Sequence, residues 1–339
     1  MTRDAGEDLR AIAFALERAH EPTYRVQAFR KAAKLVDSLE RTELERRAQD
    51  GSLEQLPGIG KVTALVITES LQGEEPNYLR RVSDLEGVPV PEGARALRAL
   101  LKGDCHVHSD WSDGGSPIDE MARSAKDLGH SYMVLTDHSP RLTVANGLSA
   151  DRLREQLEVV AELNETMAPF RILTGIECDI NEDGTLDQEP ALLAQLDLVV
   201  GSVHSKLRMP SEEMTPRMVA AISNPHLDVL GHCTGRMVTG KRNRPESEFD
   251  AEIVFAACAQ FDVAVEINSR PERLDPPKRL LRLAIEAGCK VAIDTDAHAP
   301  GQLDWQLAGC ERAHLTGVPA DRIINAMTAD DLVAWTSSR

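Results

Sequence analysis

Apolar residues in the first part of the chain recur every three or four positions, the spacing at which side chains share one face of a helix. The first such group is Leu9, Ile12, Ala13 and Leu16. A second helix is predicted from about Val26 to Leu39, and LEQLPGIGKVTALVITESLQG then predicts a helix, a tight glycine-rich turn and another helix. The pattern therefore predicts a small all-α domain over residues 1–82, followed by a linker with a short helix over 83–99.

The pattern changes near residue 100, where short apolar runs begin to alternate with helical segments. The candidate strands are 104–107, 132–136, 171–177, 197–203, 227–231, 263–268 and 290–294. Such alternation predicts parallel strands with helices packed outside them. We therefore predict an α/β domain over residues 100–339, in the form of a seven-stranded (β/α)7 barrel whose functional groups gather at the carboxyl ends of the strands.

Polar side chains that can bind metal ions follow these predicted strands. The nine candidate ligands are His106, His108, Asp113, His138, Glu177, His204, His232, Asp296 and His298. A single His-x-His pair is weak evidence, because many histidines are structural, but six histidines at strand ends form a specific pattern. Imidazole together with carboxylate favours Zn, Mn or Fe over Ca or Mg. Nine ligands exceed one coordination shell, so we expect two or three ions with Glu177 as the bridging carboxylate.

Such a centre would polarise a phosphoryl oxygen and lower the pKa of a bound water molecule towards neutrality. Cationic residues near the rim could bind the remaining phosphate oxygens, and the candidates are Lys206, Arg208, Arg236, Arg270 and Arg273. We favour Arg236 and Arg273 as catalytic residues because they follow rim strands directly, whereas Lys206 and Arg208 are typical of ordinary surface charge. Asp137, beside His138, is expected to support a ligand rather than bind a metal.

Composition and charge limit which partners and locations are expected for the protein. The net charge is −17, with 13 basic and 14 acidic residues over positions 1–82 and 25 basic against 41 acidic over the remainder. The acidic second part disfavours wide non-specific contact with nucleic acid, which the near-neutral first part can approach more easily. The charged N-terminal sequence MTRDAGEDLR lacks a signal peptide, so a cytoplasmic location is expected, and no run is apolar enough to span a membrane. The six cysteines contain no CxxC pair.

The turn Leu56-Pro57-Gly58-Ile59-Gly60-Lys61 is a second candidate site. Two glycines before a helix expose backbone N–H groups, and the helix N-terminus favours an anion such as phosphate. Gly58, Gly60 and Lys61 are therefore the predicted DNA-binding residues. The alternative is a simple turn between two helices, and the turn taken alone leaves both possibilities open.

These motifs carry a family resemblance. The segments LKGDCHVHSDWSDG, TDHS, GIECDI, LDLVVGSVHS, GHCTGR, EINSRPERLD and DTDAH resemble the PHP (polymerase and histidinol phosphatase) domain, in the version at the C-terminus of bacterial family X DNA polymerases. YRVQAFRKAAKLV, LPGIGK and ITESLQG resemble the N-terminal helix-hairpin-helix domain of those polymerases. The resemblance covers essentially all of residues 100–339 as well as 1–82. It implies a distorted barrel, a trinuclear site with the nine ligands named above, and phosphoesterase activity, often 3′–5′ exonuclease.

The sequence departs from that family at two points, and each changes the activity that is expected. The polymerase palm has no room between residues 82 and 103, so polymerase activity is not expected. The Schiff-base lysine of lyase-active relatives would fall at Val66, which speaks against sugar-phosphate lyase activity.

Three hypotheses follow from the sequence. The first is a metal-dependent phosphoesterase acting on DNA ends, as a 3′–5′ exonuclease or a 3′-end phosphatase in DNA repair. The second is a small-molecule phosphatase of the histidinol-phosphate kind, which would not need the N-terminal domain. The third is a non-catalytic DNA-binding protein, which the complete ligand set disfavours. The sequence leaves the metal and the oligomeric state open.

Overall fold

The chain forms two compact units, Met1–Pro89 and Val90–Arg339. A computed structural model describes residues 3–83, 91–239 and 243–339. The helix predicted within the linker spans Glu92–Leu100 and belongs to the second unit, where Ala94 is fully buried. Among the described residues, no helix combines the length and the apolar composition that a membrane crossing requires.

The first unit is entirely helical in its described part, as predicted. Its helices are α1 (Ala5–Arg18), α2 (Thr23–Asp37), α3 (Arg41–Asp50), α4 (Lys61–Leu71) and α5 (Asn77–Ser83), with a 3-10 turn at Leu53–Gln55. The apolar stripe predicted on the first helix is buried, since Leu9, Ile12 and Leu16 have no exposed surface. Asp4 begins α1 by accepting a hydrogen bond from the Glu7 backbone N–H, which satisfies one of the unpaired donors of the first turn.

The second unit is the predicted α/β barrel. Its seven described strands form one sheet in the order of the sequence, and every neighbouring pair is parallel. The strands are β1 (Gly103–Val107), β2 (Tyr132–Leu135), β3 (Arg171–Asp179), β4 (Leu198–Ser202), β5 (Val229–Leu230), β6 (Ala264–Asn268) and β7 (Val291–Asp294). The helices are α6 (Glu92–Leu100), α7 (Ile118–Asp127), α8 (Ala150–Met167), α9 (Pro190–Leu193), α10 (Ser211–Ile222), α11 (Ala251–Gln260), α12 (Lys278–Glu286), α13 (Gln306–Thr316) and α14 (Ala329–Ser337).

The sheet closes towards a barrel between its first and last strands. Val107 forms a parallel bridge with Ala297, just beyond β7, and the His108 backbone N–H donates to the Ala297 carbonyl at 2.9 Å. The register between β1 and β2 shifts between Asp104 and Val107, so the barrel is irregular where the His-x-His segment leaves it. This irregularity agrees with the distorted barrel that the family resemblance implies.

The interior of the barrel is one apolar cluster to which all seven strands contribute. Its strand members are Cys105, Tyr132, Val134, Leu173, Leu198, Val200, Val229, Ala264 and Ala292. Leu332 and Trp335 of α14 close this cluster from the end opposite the metal-ligand candidates. The lower interior is thus filled with packed apolar side chains, and the candidate metal ligands lie at the carboxyl rim of the strands.

One buried arginine ties two rim loops together. Arg217 of α10 is 2% exposed and donates hydrogen bonds to the carbonyls of Ile180 and Asn181, which follow β3, and of Ser205, which follows β4. A buried guanidinium is tolerated only when its donors are satisfied. Arg217 therefore holds the loops that carry the ends of two strands at a fixed separation.

Replacing Arg217 with Ala should lower the free energy of unfolding of the second unit by roughly 3 kcal/mol, because three buried carbonyls lose a charged donor. Urea denaturation followed by tryptophan fluorescence measures this unit alone, since Trp111, Trp305 and Trp335 all lie in it. Arg154→Ala is the control, because Arg154 forms only exposed ion pairs with Asp151 and Glu189. Equal stability of the two variants would show that Arg217 has no bracing role.

Candidate metal centre

The barrel brings the nine predicted ligands to one rim. Eight of them lie at or just beyond the carboxyl end of a strand: His106 and His108 at β1, His138 after β2, Glu177 in β3, His204 after β4, His232 after β5, and Asp296 and His298 after β7. Asp113 lies further along the loop after β1. Parallel strands point their carboxyl ends in the same direction, which is why residues almost two hundred positions apart meet here.

The carboxylate of Glu177 lies at the centre of the group and is 1% exposed. Five imidazoles face it. Their distances to the nearest Glu177 oxygen are 3.4 Å from His106 Nε2, 3.6 Å from His108 Nε2, 2.8 Å from His138 Nδ1, 3.3 Å from His204 Nε2 and 2.9 Å from His232 Nε2. A carboxylate with imidazole nitrogens near both of its oxygens is arranged as a ligand that could bridge two metal ions.

Seven of the nine residues fall into three overlapping groups whose ligand atoms lie within 4.8 Å of one another. The groups are His108 with Asp113, His138 and His298; His106 with His108 and Glu177; and His138 with Glu177 and His204. The other two residues border these groups, because His232 contacts Glu177 and Asp296 Oδ1 lies 3.4 Å from His108 Nε2. Asp296 has a φ of 54°, a left-handed conformation that is uncommon outside glycine.

At this centre, burial and the neighbouring charges shift the pKa values of the ligands in opposite directions. Burial raises the pKa of Glu177, but the imidazoles of His106 and His204 outweigh it and hold the carboxyl well below its ordinary value. The converse holds at His204, where burial lowers the pKa but Glu177 and Asp179 raise it to about 9. Both shifts show that this buried carboxylate is stabilised by positive charge beside it.

The donor atoms fit divalent metal ions. The buried atoms of the centre that lack a hydrogen bond are His106 Nε2, His108 Nδ1 and Nε2, His138 Nδ1, Glu177 Oε2, His204 Nδ1 and Nε2, and His232 Nδ1. Buried polar atoms without a partner are costly, and each neutral imidazole or carboxylate among them can offer a lone pair to a cation. Burial, together with the nearby His298 and His138, also holds the pKa of His108 well below its ordinary value, so this ring is in the neutral form that binds metals.

A second layer of carboxylates, which the sequence analysis did not identify, orients the histidines. Glu266 in β6 lies 2.6 Å from His106 Nδ1 and also accepts the backbone N–H of His232. Asp179 at the end of β3 accepts the backbone N–H of His204 at 3.1 Å, and its Oδ1 is 3.5 Å from His204 Nδ1. A carboxylate on one ring nitrogen fixes the ring and directs the other nitrogen at a metal. An acidic residue inside the buried run AVEIN was the available signal for Glu266.

The predicted catalytic residues occupy different positions. Arg273 reaches the centre, with its Nε 3.1 Å from Asp296 Oδ2, and Arg270 Nη1 lies 3.8 Å from Asp296 Oδ1. Arg236 instead donates hydrogen bonds to the carbonyls of Arg273 and Leu274, and so supports the loop that carries Arg273. Of the remaining candidates, Lys206 and Arg208 have exposed side chains.

Asp137 does not face the ligand cluster. Its carboxylate accepts hydrogen bonds from the Ser109 N–H and hydroxyl, from the Ser112 hydroxyl and from the Gln156 side chain. These contacts anchor the loop that joins the His-x-His segment to Asp113. Asp137 therefore holds this loop in place, and its assignment as a support for a metal ligand stays a prediction.

The glycine-rich turn of the first unit directly precedes α4, and its assignment as a DNA-binding site stays a prediction. Gly58 has a φ of +89°, which glycine adopts without strain, and an added Cβ at Gly58 or Gly60 would meet nothing within 4 Å. The Gly60 N–H is already taken, because it donates to the Thr63 hydroxyl at 3.0 Å. The backbone N–H groups of Lys61 and Val62, in the first turn of α4, find no acceptor among the described residues and can face an anion.

Comparisons with known proteins agree with this architecture. A family model described as the PHP domain matches residues 104–270, and one described as a helix-hairpin-helix domain matches residues 4–76. A DNA polymerase/3′-5′ exonuclease of Bacillus subtilis (strain 168) is 40% identical over 235 residues, which cover 69% of this chain and 41% of that protein. The chain thus spans less than half of the length of this relative.

One further relative is matched over most of its length. A probable phosphatase of Thermoanaerobacter sp. (strain X514) is 30% identical over 236 residues, which cover 66% of this chain and 89% of that protein. A histidinol phosphate phosphatase structure from Lactococcus lactis, complexed with Zn, L-histidinol and phosphate, aligns with a TM-score of 0.47 and 18% identity, over 64% of this chain and 93% of that one.

The near-complete coverage of the Thermoanaerobacter protein means that the two share a whole domain rather than a short motif. The domain model begins at the first barrel strand and extends beyond the sixth, so it contains seven of the nine candidate ligands. The chain belongs to the PHP domain family and is a metal-dependent phosphoesterase.

Proposed function

We propose that this phosphoesterase acts at DNA ends, as a 3′–5′ exonuclease or as a phosphatase that processes 3′ ends during repair. The observation that carries the proposal is the presence in one chain of the histidine cluster around Glu177 and of a turn whose backbone N–H groups can bind phosphate. A helix-hairpin-helix match and the Bacillus subtilis relative, named a 3′-5′ exonuclease, support the same class of substrate.

The chain's own side chains would have different roles in the reaction. The nine ligands would hold two or three divalent ions of the Zn, Mn or Fe type, with Glu177 between them. When bound, these ions would polarise the phosphoryl oxygen and supply an activated water molecule for attack on phosphorus. Arg273 and Arg270 lie where their guanidinium groups can bind non-bridging oxygens of the phosphate. Glu266 and Asp179 keep the histidine rings in place throughout.

A second candidate is a phosphatase of small molecules, of the histidinol-phosphate kind. The extent of the match to the Thermoanaerobacter probable phosphatase favours it, because that relative is covered over 89% of its length. The first unit favours DNA, since a metabolite phosphatase has no need of a phosphate-binding turn.

Metal analysis tests the centre. We expect the full-length protein, saturated with Zn or Mn and then desalted, to retain two or three ions per chain. Nine ligands exceed a shell of four to six, and three groups of ligand atoms are already formed. Chelation should abolish hydrolysis of a chromogenic phosphoester, and either metal should restore it. Retention of one ion or none would contradict the multinuclear assignment.

Removal of a ligand tests the assignment of residues. His138→Ala and Asp296→Asn should each lower kcat/KM on a chromogenic phosphoester by more than about a hundredfold, the upper end of the loss caused by removing a mere supporting residue. The fold should survive, because the barrel interior is a separate apolar cluster. His226→Ala is the matched control, since His226 lies in none of the ligand groups. Near wild-type turnover of either ligand variant with saturating metal would show that the assignment is wrong.

The DNA-binding turn is tested by removing one charge. Lys61→Gln should weaken DNA binding for all sequences alike and reduce the slope of log affinity against log salt by about one, since one phosphate contact is lost. Lys61 is exposed at the start of α4, so folding should not change. Lys126→Gln, on the exposed face of α7 in the second unit, controls for the change in net charge. An identical salt slope in wild type and Lys61→Gln would remove this turn from the DNA interface.

A further inference from the structure

A cavity of about 620 Å³ is lined by residues that follow β5 and by the first turns of α10 and α12. Its charged lining residues are Arg236, Arg244 and Arg279 with Glu246 and Glu248, and Val238, Phe249 and Leu280 form an apolar wall. The volume is in the range of pockets that hold a small organic ligand. Positive groups beside an apolar wall suit a ligand that combines an anion with an organic ring system.

The cavity adjoins the metal centre through one shared loop. Arg236, in the cavity wall, donates to the Arg273 carbonyl at 3.0 Å, and the Arg273 side chain contacts Asp296. The Val238 backbone N–H donates to the Glu272 carbonyl at 2.6 Å. The cavity wall is therefore joined by hydrogen bonds to the loop that carries Arg273.

Arg244 is held rigidly at this border. Its backbone pairs with Met237 through two hydrogen bonds, of 2.9 and 3.0 Å, and its Nε donates to the Gly235 carbonyl. The Gly235 N–H in turn donates to the His232 carbonyl at 2.8 Å. Arg244 is thus fixed to the segment that carries a candidate metal ligand, and an anion-binding group on such a segment needs little reorganisation.

The terminal nitrogens of Arg244 have no carboxylate partner among the described residues, whereas Arg236 and Arg279 both pair with Glu246. Burial and the charge of Arg273 lower the pKa of Arg244, and the Asp275 carboxylate raises it. A partly buried guanidinium group without a paired carboxylate is stabilised by an anion that it can bind. The terminal nitrogens of Arg244 therefore indicate an anion site at the cavity wall.

We propose that Arg244 binds the second phosphate of a polynucleotide end, the one adjacent to the phosphate that is hydrolysed. The neighbouring sugar and base would lie against Val238, Phe249 and Leu280. This inference rests on the proposed action at DNA ends and adds a specificity determinant to it. A monoester with a single phosphate would leave the cavity without its anion, so Arg244 would favour polynucleotides over small phosphomonoesters.

A competition assay tests the contact without requiring that DNA be cleaved. A thymidine trinucleotide competes with bis-p-nitrophenyl phosphate, and its inhibition constant is measured with the phosphate next to the terminal one either native or replaced by a neutral methylphosphonate. In wild type the neutral linkage should weaken inhibition about tenfold or more, the effect of losing one charge-assisted hydrogen bond. In Arg244→Gln the native trinucleotide should already be weakened to that level, and the neutral linkage should make no further difference.

Two further variants complete the test. Arg282→Gln, on the exposed side of α12 and outside the cavity lining, should keep the wild-type response to the neutral linkage. Arg244→Lys keeps the charge but loses the planar guanidinium group, so the loss of inhibition caused by the neutral linkage should become smaller without disappearing. This variant also replaces Arg244→Gln in the test if that variant does not fold. Equal losses from the neutral linkage in wild type, Arg244→Gln and Arg244→Lys would overturn the inference. Absence of trinucleotide hydrolysis by wild type would instead count against the proposed function alone.

Discussion

The whole centre depends on one buried carboxylate that faces five imidazoles. Imidazole nitrogens lie near both oxygens of Glu177, and several of these nitrogens, among them His106 Nε2 and His204 Nε2, are buried without a hydrogen bond. Such a group is costly in an isolated protein, because desolvated donors and acceptors have lost water and gained nothing in return. Divalent ions would offset this cost, since each ion could bind several of the unpartnered atoms at once. The arrangement thus makes metal binding and the stability of this rim parts of the same free-energy balance.

The barrel makes that arrangement possible by separating two environments. Its lower interior is filled by apolar side chains from all seven strands. The candidate ligands lie where the strands end, and there a layer of supporting groups fixes them. Glu266 orients His106, Asp179 orients His204, and Asp137 anchors the loop that leads to Asp113. Rigid supporting contacts of this kind are what place several ligands around ions with little reorganisation.

The sequence alone could predict the barrel and the meeting of the ligands, because each ligand follows a short apolar run and parallel strands share one rim. It could not separate the roles of similar residues. Arg236 and Arg273 follow rim strands alike, yet one braces a loop and the other contacts Asp296. Glu266 was missed because nothing local to its strand shows that it contacts His106 on a distant strand, and the occupation of the Gly60 N–H by Thr63 depends on a side-chain rotamer. Contacts between distant segments decide such roles, and no local pattern records them.

The net charge of the second part of the chain restricts where a polyanion can approach it. The residues after position 82 carry 25 basic and 41 acidic side chains, so a polyanion is repelled by most of this surface. Arg270, Arg273 and Arg244 form a local exception beside the metal centre, where bound ions would add further positive charge. An acidic surface around a small cationic opening disfavours contact along the side of a duplex and leaves the opening as the favourable place for a phosphate. This arrangement favours the end of a DNA strand over a continuous duplex backbone, because a strand end can enter a cavity and a continuous backbone cannot.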